Sequence, residues 1–149
     1  MTPNTDVAEG HAGRSISRFL PTVARILMGL LFLVVGLNGF LNFIPQPSTP
    51  MPDVALAFMG VLMKTRYMLP LIAGTEAIVG VMLLSNRFVP LALVLLAPVV
   101  VNIFAFHLFL VPSGLGVAAV VVVLEIYLAW TYRNAYGPML TMRAAPASK

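Results

Sequence analysis

Two long stretches of this chain carry no charge: no Asp, Glu, Lys or Arg lies between Arg25 and Asp53, or between Arg87 and Glu125. Between Arg66 and Arg87 the only one is Glu76. A membrane-spanning helix needs about 20 mostly apolar residues, so each interval has room for one. The composition agrees, with 60% hydrophobic and 9% charged residues and a mean hydropathy of +0.97 over 149 residues. The pattern predicts an all-α integral membrane protein embedded in a lipid bilayer, with no length left for a soluble catalytic domain.

The chain has no cysteine. It therefore offers no thiolate nucleophile, no disulfide relay and no ligands for an iron–sulfur cluster. The net charge is +4 and the pI near 10.0. Its basic residues do not form an aromatic-interleaved stripe, so no nucleic-acid partner is expected. They read instead as topology signals.

Residues 1–19 are polar and small and read as a flexible tail. The first span is expected over residues 20–44, ending at Pro45-Gln-Pro-Ser-Thr-Pro50. Residues 51–64 are apolar but too short to cross. Thr49 and Pro50 ahead of Asp53 look like a hydroxyl-capped helix start, so a short interfacial helix is expected there. Further spans follow over residues 67–85, 88–110 and 115–132, giving a four-helix bundle over residues 20–133 and a polar tail over 134–149. Pro98, inside the third span, should kink it.

With four spans, Arg14, Arg18, Arg25, Arg87, Arg133, Arg143 and Lys149 fall on one side, and Lys64 and Arg66 on the other. The positive-inside rule then puts both termini in the cytoplasm. Tyr67, Trp130, Tyr132 and Tyr136 lie near span ends, where aromatic rings anchor at the interface.

The residues that contradict the apolar pattern are Asn38 and Asn42 in span one, Glu76 in span two, Asn102 and His107 in span three, and Glu125 in span four. At about 1.5 Å rise per residue, Glu76, Asn102 and Glu125 lie roughly 12 to 15 Å below the outer surface and the other three roughly 3 to 9 Å below it. All six fall in the outer half. A carboxylate at the midplane costs about 2.5 to 3.5 kcal/mol on an insertion scale, so both glutamates must face the bundle interior or a wet cavity. The simplest arrangement is an outward-opening polar pocket floored by both. The same residues also suit structural roles: Asn38 and Asn42, four apart, can hydrogen-bond between helices, and each buried acid can bond a backbone carbonyl. One histidine and two glutamates on separate helices, with His11 in the tail, make a poor metal site; no metal, haem or iron–sulfur centre is expected.

The central acid in Gly74-Thr-Glu76-Ala-Ile-Val-Gly80 and the stretch Asn102-Ile-Phe-Ala-Phe-His107-Leu-Phe-Leu-Val-Pro112 leading into Leu124-Glu125-Ile-Tyr127 resemble the DoxX-like family of small bacterial membrane proteins. The resemblance spans residues 18–140 and is most specific in the order and spacing of Glu76 and His107. It implies a four-helix membrane bundle and a link to quinone-coupled redox chemistry, since relatives include a subunit of a thiosulfate:quinone oxidoreductase. A quinone and other redox-complex subunits would then be the partners, with Glu76 and His107 exchanging protons and Asn102 and Glu125 orienting them. Two other readings stay open: a small proton or solute carrier, and a non-catalytic scaffold.

Overall fold

The computed structural model describes residues 6–45 and 50–140, with side chains from residue 19 onward. Five α-helices follow in order: α1 (Asp6–Leu41), α2 (Asp53–Lys64), α3 (Met68–Leu84), α4 (Val89–Phe109) and α5 (Leu115–Thr131). Single 3-10 segments cover Pro112–Gly114 and Arg133–Leu140. No strand occurs among the described residues. Phe19–Leu41, Val89–Phe109 and Pro112–Thr131 are each long and apolar enough to cross a membrane, with mean hydropathies of 2.2, 2.5 and 2.0. The 17-residue α3 meets that condition only together with α2, from which it is bent by 89°. This is an all-α, multi-pass membrane bundle, as the charge-free intervals require.

Several boundaries differ from the sequence reading. Helix α1 begins at Asp6, so it runs through most of the segment expected to be a tail. The C-terminal tail likewise starts as a 3-10 segment. Helix α2 starts at Asp53 behind Pro52, with no side-chain cap, rather than behind a threonine hydroxyl. Residues 1–5, 46–49 and 141–149, including Thr49 and much of the proline-rich break, lie outside the described residues.

Helices α1, α3, α4 and α5 form a ring in which α1 touches α3 and α5, and α4 touches the same two. Phe32, Met28, Leu83, Leu93, Leu96 and Leu128 fill its centre. The α1–α3 seam is the tightest contact. A Cβ added at Gly80 would lie 2.5 Å from the Leu33 backbone nitrogen, and one at Gly36 would run into the Ala77 backbone. Lipid tails are as apolar as leucine, so in a bilayer such backbone-to-backbone packing replaces the hydrophobic effect as the force holding helices together.

Arg25 lies inside this seam. Only 7% exposed, it donates to the carbonyl oxygens of Leu83 and Leu84 at the end of α3. Both carbonyls belong to the last turn of α3, the negative end of the helix dipole; the Leu83 oxygen also accepts from the Asn86 N–H at 3.2 Å, and the buried guanidinium supplies a further donor and a compensating charge. Counted by sequence as a topology marker, Arg25 is also an interhelical strut.

Alanine substitutions at glycine should therefore have opposite signs at different sites. Gly36→Ala and Gly80→Ala force the seam apart and should destabilise the protein by about 1 to 3 kcal/mol. Gly60, inside α2, has open space where a Cβ would go. Gly60→Ala should stabilise by up to about 1 kcal/mol through helix propensity. Denaturant unfolding in detergent micelles, followed by far-UV circular dichroism, measures all three.

Candidate functional site

Helices α2, α3 and α4 line an open-sided cavity of about 410 Å³. On α3 its wall is Leu69, Ile72 and Glu76, spaced three and four apart on one helix face. On α4 it is Val99, Asn102, Ile103 and Phe106, with the same spacing, and His107 beside them. The α2 contribution is Phe58, Met59 and Leu62. The 89° bend between α2 and α3 brings α2 over the cavity, and Phe58 packs on Phe106 with ring centroids 5.9 Å apart. Thr65 holds the corner: its hydroxyl donates to the Leu62 carbonyl at 2.6 Å and accepts from the Met68 N–H at 3.3 Å. Arg66 turns the chain there in the left-handed conformation, φ 63°.

Three polar side chains line this otherwise apolar space. Glu76 is 6% exposed and makes no hydrogen bond or ion pair among the described residues. Asn102, one helix across, likewise keeps its amide unpaired among them. His107 is fixed at one nitrogen only, with Nδ1 3.1 Å from the Val111 carbonyl oxygen. A carbonyl only accepts, so Nδ1 carries the proton, and Nε2 of the neutral ring is left as an acceptor. Gly114 lies against the Nδ1–Cε1 edge of the same ring, where a Cβ could not share the space with the imidazole, and Phe106 packs edge-on at 5.5 Å. The last turn of α4 and the 3-10 turn after it therefore hold the imidazole in one orientation and one tautomer.

Of the six polar residues read from the sequence, the structure brings these three together and sends the others elsewhere. Glu125 lines a separate cavity, so the two glutamates do not floor one pocket. Asn38 and Asn42 line neither cavity and make no bond between helices. They end α1 instead. Asn42 is left-handed at φ 49° and returns its N–H to the Asn38 carbonyl at 2.8 Å, while Asn38 Oδ1 accepts the Ile44 N–H at 2.7 Å. Asparagine tolerates the left-handed position that closes a helix, and this cap stops α1 at Leu41 rather than at residue 44.

Sequence reasoning missed two contributors. Phe58, Met59 and Leu62 lie on the helix expected at the interface, yet they wall the cavity. Tyr136 read as an interfacial anchor, yet its hydroxyl is buried. Burial raises the Tyr136 phenol above its ordinary pKa, and the charge of Glu125 adds to the rise. Among the described residues no three His, Asp or Glu side chains converge as metal ligands. No family model, curated protein or solved structure matches this chain.

Because Gly114 leaves room for the imidazole, Gly114→Ala should push His107 off the Val111 carbonyl and release its tautomer. Two-bond proton–nitrogen NMR of the imidazole should show Nδ1–H alone in the parent protein and a mixture of tautomers in the variant. An unchanged spectrum would mean that the turn does not hold the ring.

Proposed function

We propose that this protein binds a quinone or a closely similar ring dicarbonyl in the α2–α3–α4 cavity, as a DoxX-like subunit or accessory of a membrane redox complex. The observation that carries the reading is the convergence of Glu76, Asn102 and His107 on one cavity whose remaining lining is aliphatic, aromatic or thioether. Small-molecule sites share this design: about 300 to 1,000 Å³, apolar walls and a few convergent polar groups. Quinone carbonyls accept hydrogen bonds, which the Asn102 amide and a protonated Glu76 carboxyl donate. Quinol hydroxyls donate them, and the free Nε2 of His107 accepts. Reduction of a quinone consumes two electrons and two protons. Glu76 and His107 would handle the protons, and the electrons would come from a partner protein. The resemblance in the Glu76 and His107 segments supports the same assignment. On the charge distribution, the cavity belongs to the outer half of a bacterial cytoplasmic membrane, with both termini inside.

Binding and stability measured together test this. Asn102→Leu should weaken binding of a short-chain ubiquinone to the purified protein about tenfold. Asn102 is exposed and makes no protein hydrogen bond, so its replacement should leave the unfolding midpoint unchanged. Glu76→Gln should likewise impair binding without destabilising the bundle. A protein that binds no quinone, and whose variants differ only in stability, would be a scaffold. Proton flux in liposomes that Glu76→Gln abolishes, with no quinone bound, would make it a carrier.

A further inference from the structure

A second cavity, of about 350 Å³, lies between α4 and α5. Its α4 residues, including Leu93, Ala97 and Val100, fall on the face opposite Val99, Asn102 and Phe106 at 100° per residue, so α4 separates it from the quinone cavity. Only two of its lining residues carry polar side chains: Glu125 from the middle of α5, and Tyr136 from the 3-10 segment that follows the helix. Glu125 is 8% exposed. Its Oε2 and the Tyr136 hydroxyl are both buried with no hydrogen-bond partner among the described residues.

Two unsatisfied polar atoms beside one cavity are costly, and no described residue relieves them. The cation nearest in sequence, Arg133, is engaged elsewhere: its guanidinium donates to the Trp130 carbonyl at 3.1 Å and stacks on the Trp130 ring at 5.1 Å. Val101 and Ile126, at the rim, are 67% and 62% exposed, which in a bilayer means exposed to lipid. A ligand would therefore arrive sideways from the membrane.

We propose that this cavity binds a lipid-soluble primary amine, whose ammonium group donates to Glu125 Oε2 and Tyr136 Oη while its hydrocarbon body lies along the valines and leucines of α4. The charge decides the class. A carboxylate inside a bilayer needs a counter-ion as well as a donor, and a cation with N–H groups is both. An alcohol supplies one hydrogen bond and no charge, and an anionic amphiphile is repelled.

Trp130, the chain's one tryptophan, follows the cavity residue Ala129 but is 69% exposed to lipid, so quencher dissolved in the bilayer reaches it too, and only the saturable part of its quenching that depends on Glu125 reports on occupancy. In nanodiscs of zwitterionic lipid, 12-bromododecylamine should quench Trp130 saturably, at concentrations at least about tenfold below those needed with 12-bromododecanol. Glu125→Gln should erase that preference. Equal quenching by the two amphiphiles in the parent protein, or a preference intact in Glu125→Gln, overturns the proposal. Should Glu125→Gln fail to fold, Tyr136→Phe decides in its place: it must lower the preference at least about threefold. The assay reports nothing on quinone binding, so the two sites stand or fall separately.

Discussion

The backbone contact between α1 and α3 is the constraint from which the rest of the bundle takes its positions. Gly36 and Gly80 let the two helices meet main chain to main chain, and Arg25 ties the end of α3 to α1. With Ala73, Ala77 and Gly80 turned toward α1, the helical repeat leaves Ile72 and Glu76 on the adjoining face, toward α4. The direction of the acid is thus set by the packing of its small helix neighbours against α1. A bilayer offers no hydrophobic force to press helices together, so a seam of small residues is the available way to hold a polar group at a set depth.

The bundle keeps its two buried acids apart, and α4 is the partition. One face of α4 presents an amide, an imidazole and a phenyl ring; the other presents only aliphatic side chains. Glu76 therefore shares its space with groups that can donate and accept, whereas Glu125 shares its cavity with the phenol of Tyr136, from the 3-10 segment after α5. Two carboxyl groups that look equivalent in sequence, each central to its span, stand in different chemical surroundings.

Much of this was legible before any coordinates. Charge-free intervals mark the spans because a bilayer excludes charge, and Glu76, Asn102 and His107 stand out because a polar residue inside a span requires a reason. The pairing of faces was not legible: periodicity fixes the angle between residues on one helix but not the rotation of that helix against its neighbours. Glu125 was lost to that ambiguity. Asn38 and Asn42 show another limit, since a spacing of four serves an interhelical bond and a helix cap equally, and only the backbone angle at Asn42 distinguishes them. Arg25 shows a third. A basic residue near a span end fits the positive-inside rule wherever its side chain goes, so its bond to α3 leaves no separate trace in the sequence.

The shortness of α3 has a consequence for how the protein meets its surroundings. Seventeen residues rise about 25 Å, less than the roughly 30 Å of a typical hydrocarbon core. At one end α3 is anchored to α1 through Arg25; at the other it gives way to α2, the helix that walls the Glu76 cavity. Hydrophobic mismatch costs fractions of a kcal/mol per Å and is relieved where the structure yields most easily. The α2 corner is the end of α3 that Arg25 does not hold. A change in bilayer thickness accordingly bears first on the span of α2 across the cavity, which makes lipid chain length a physical variable of the site itself.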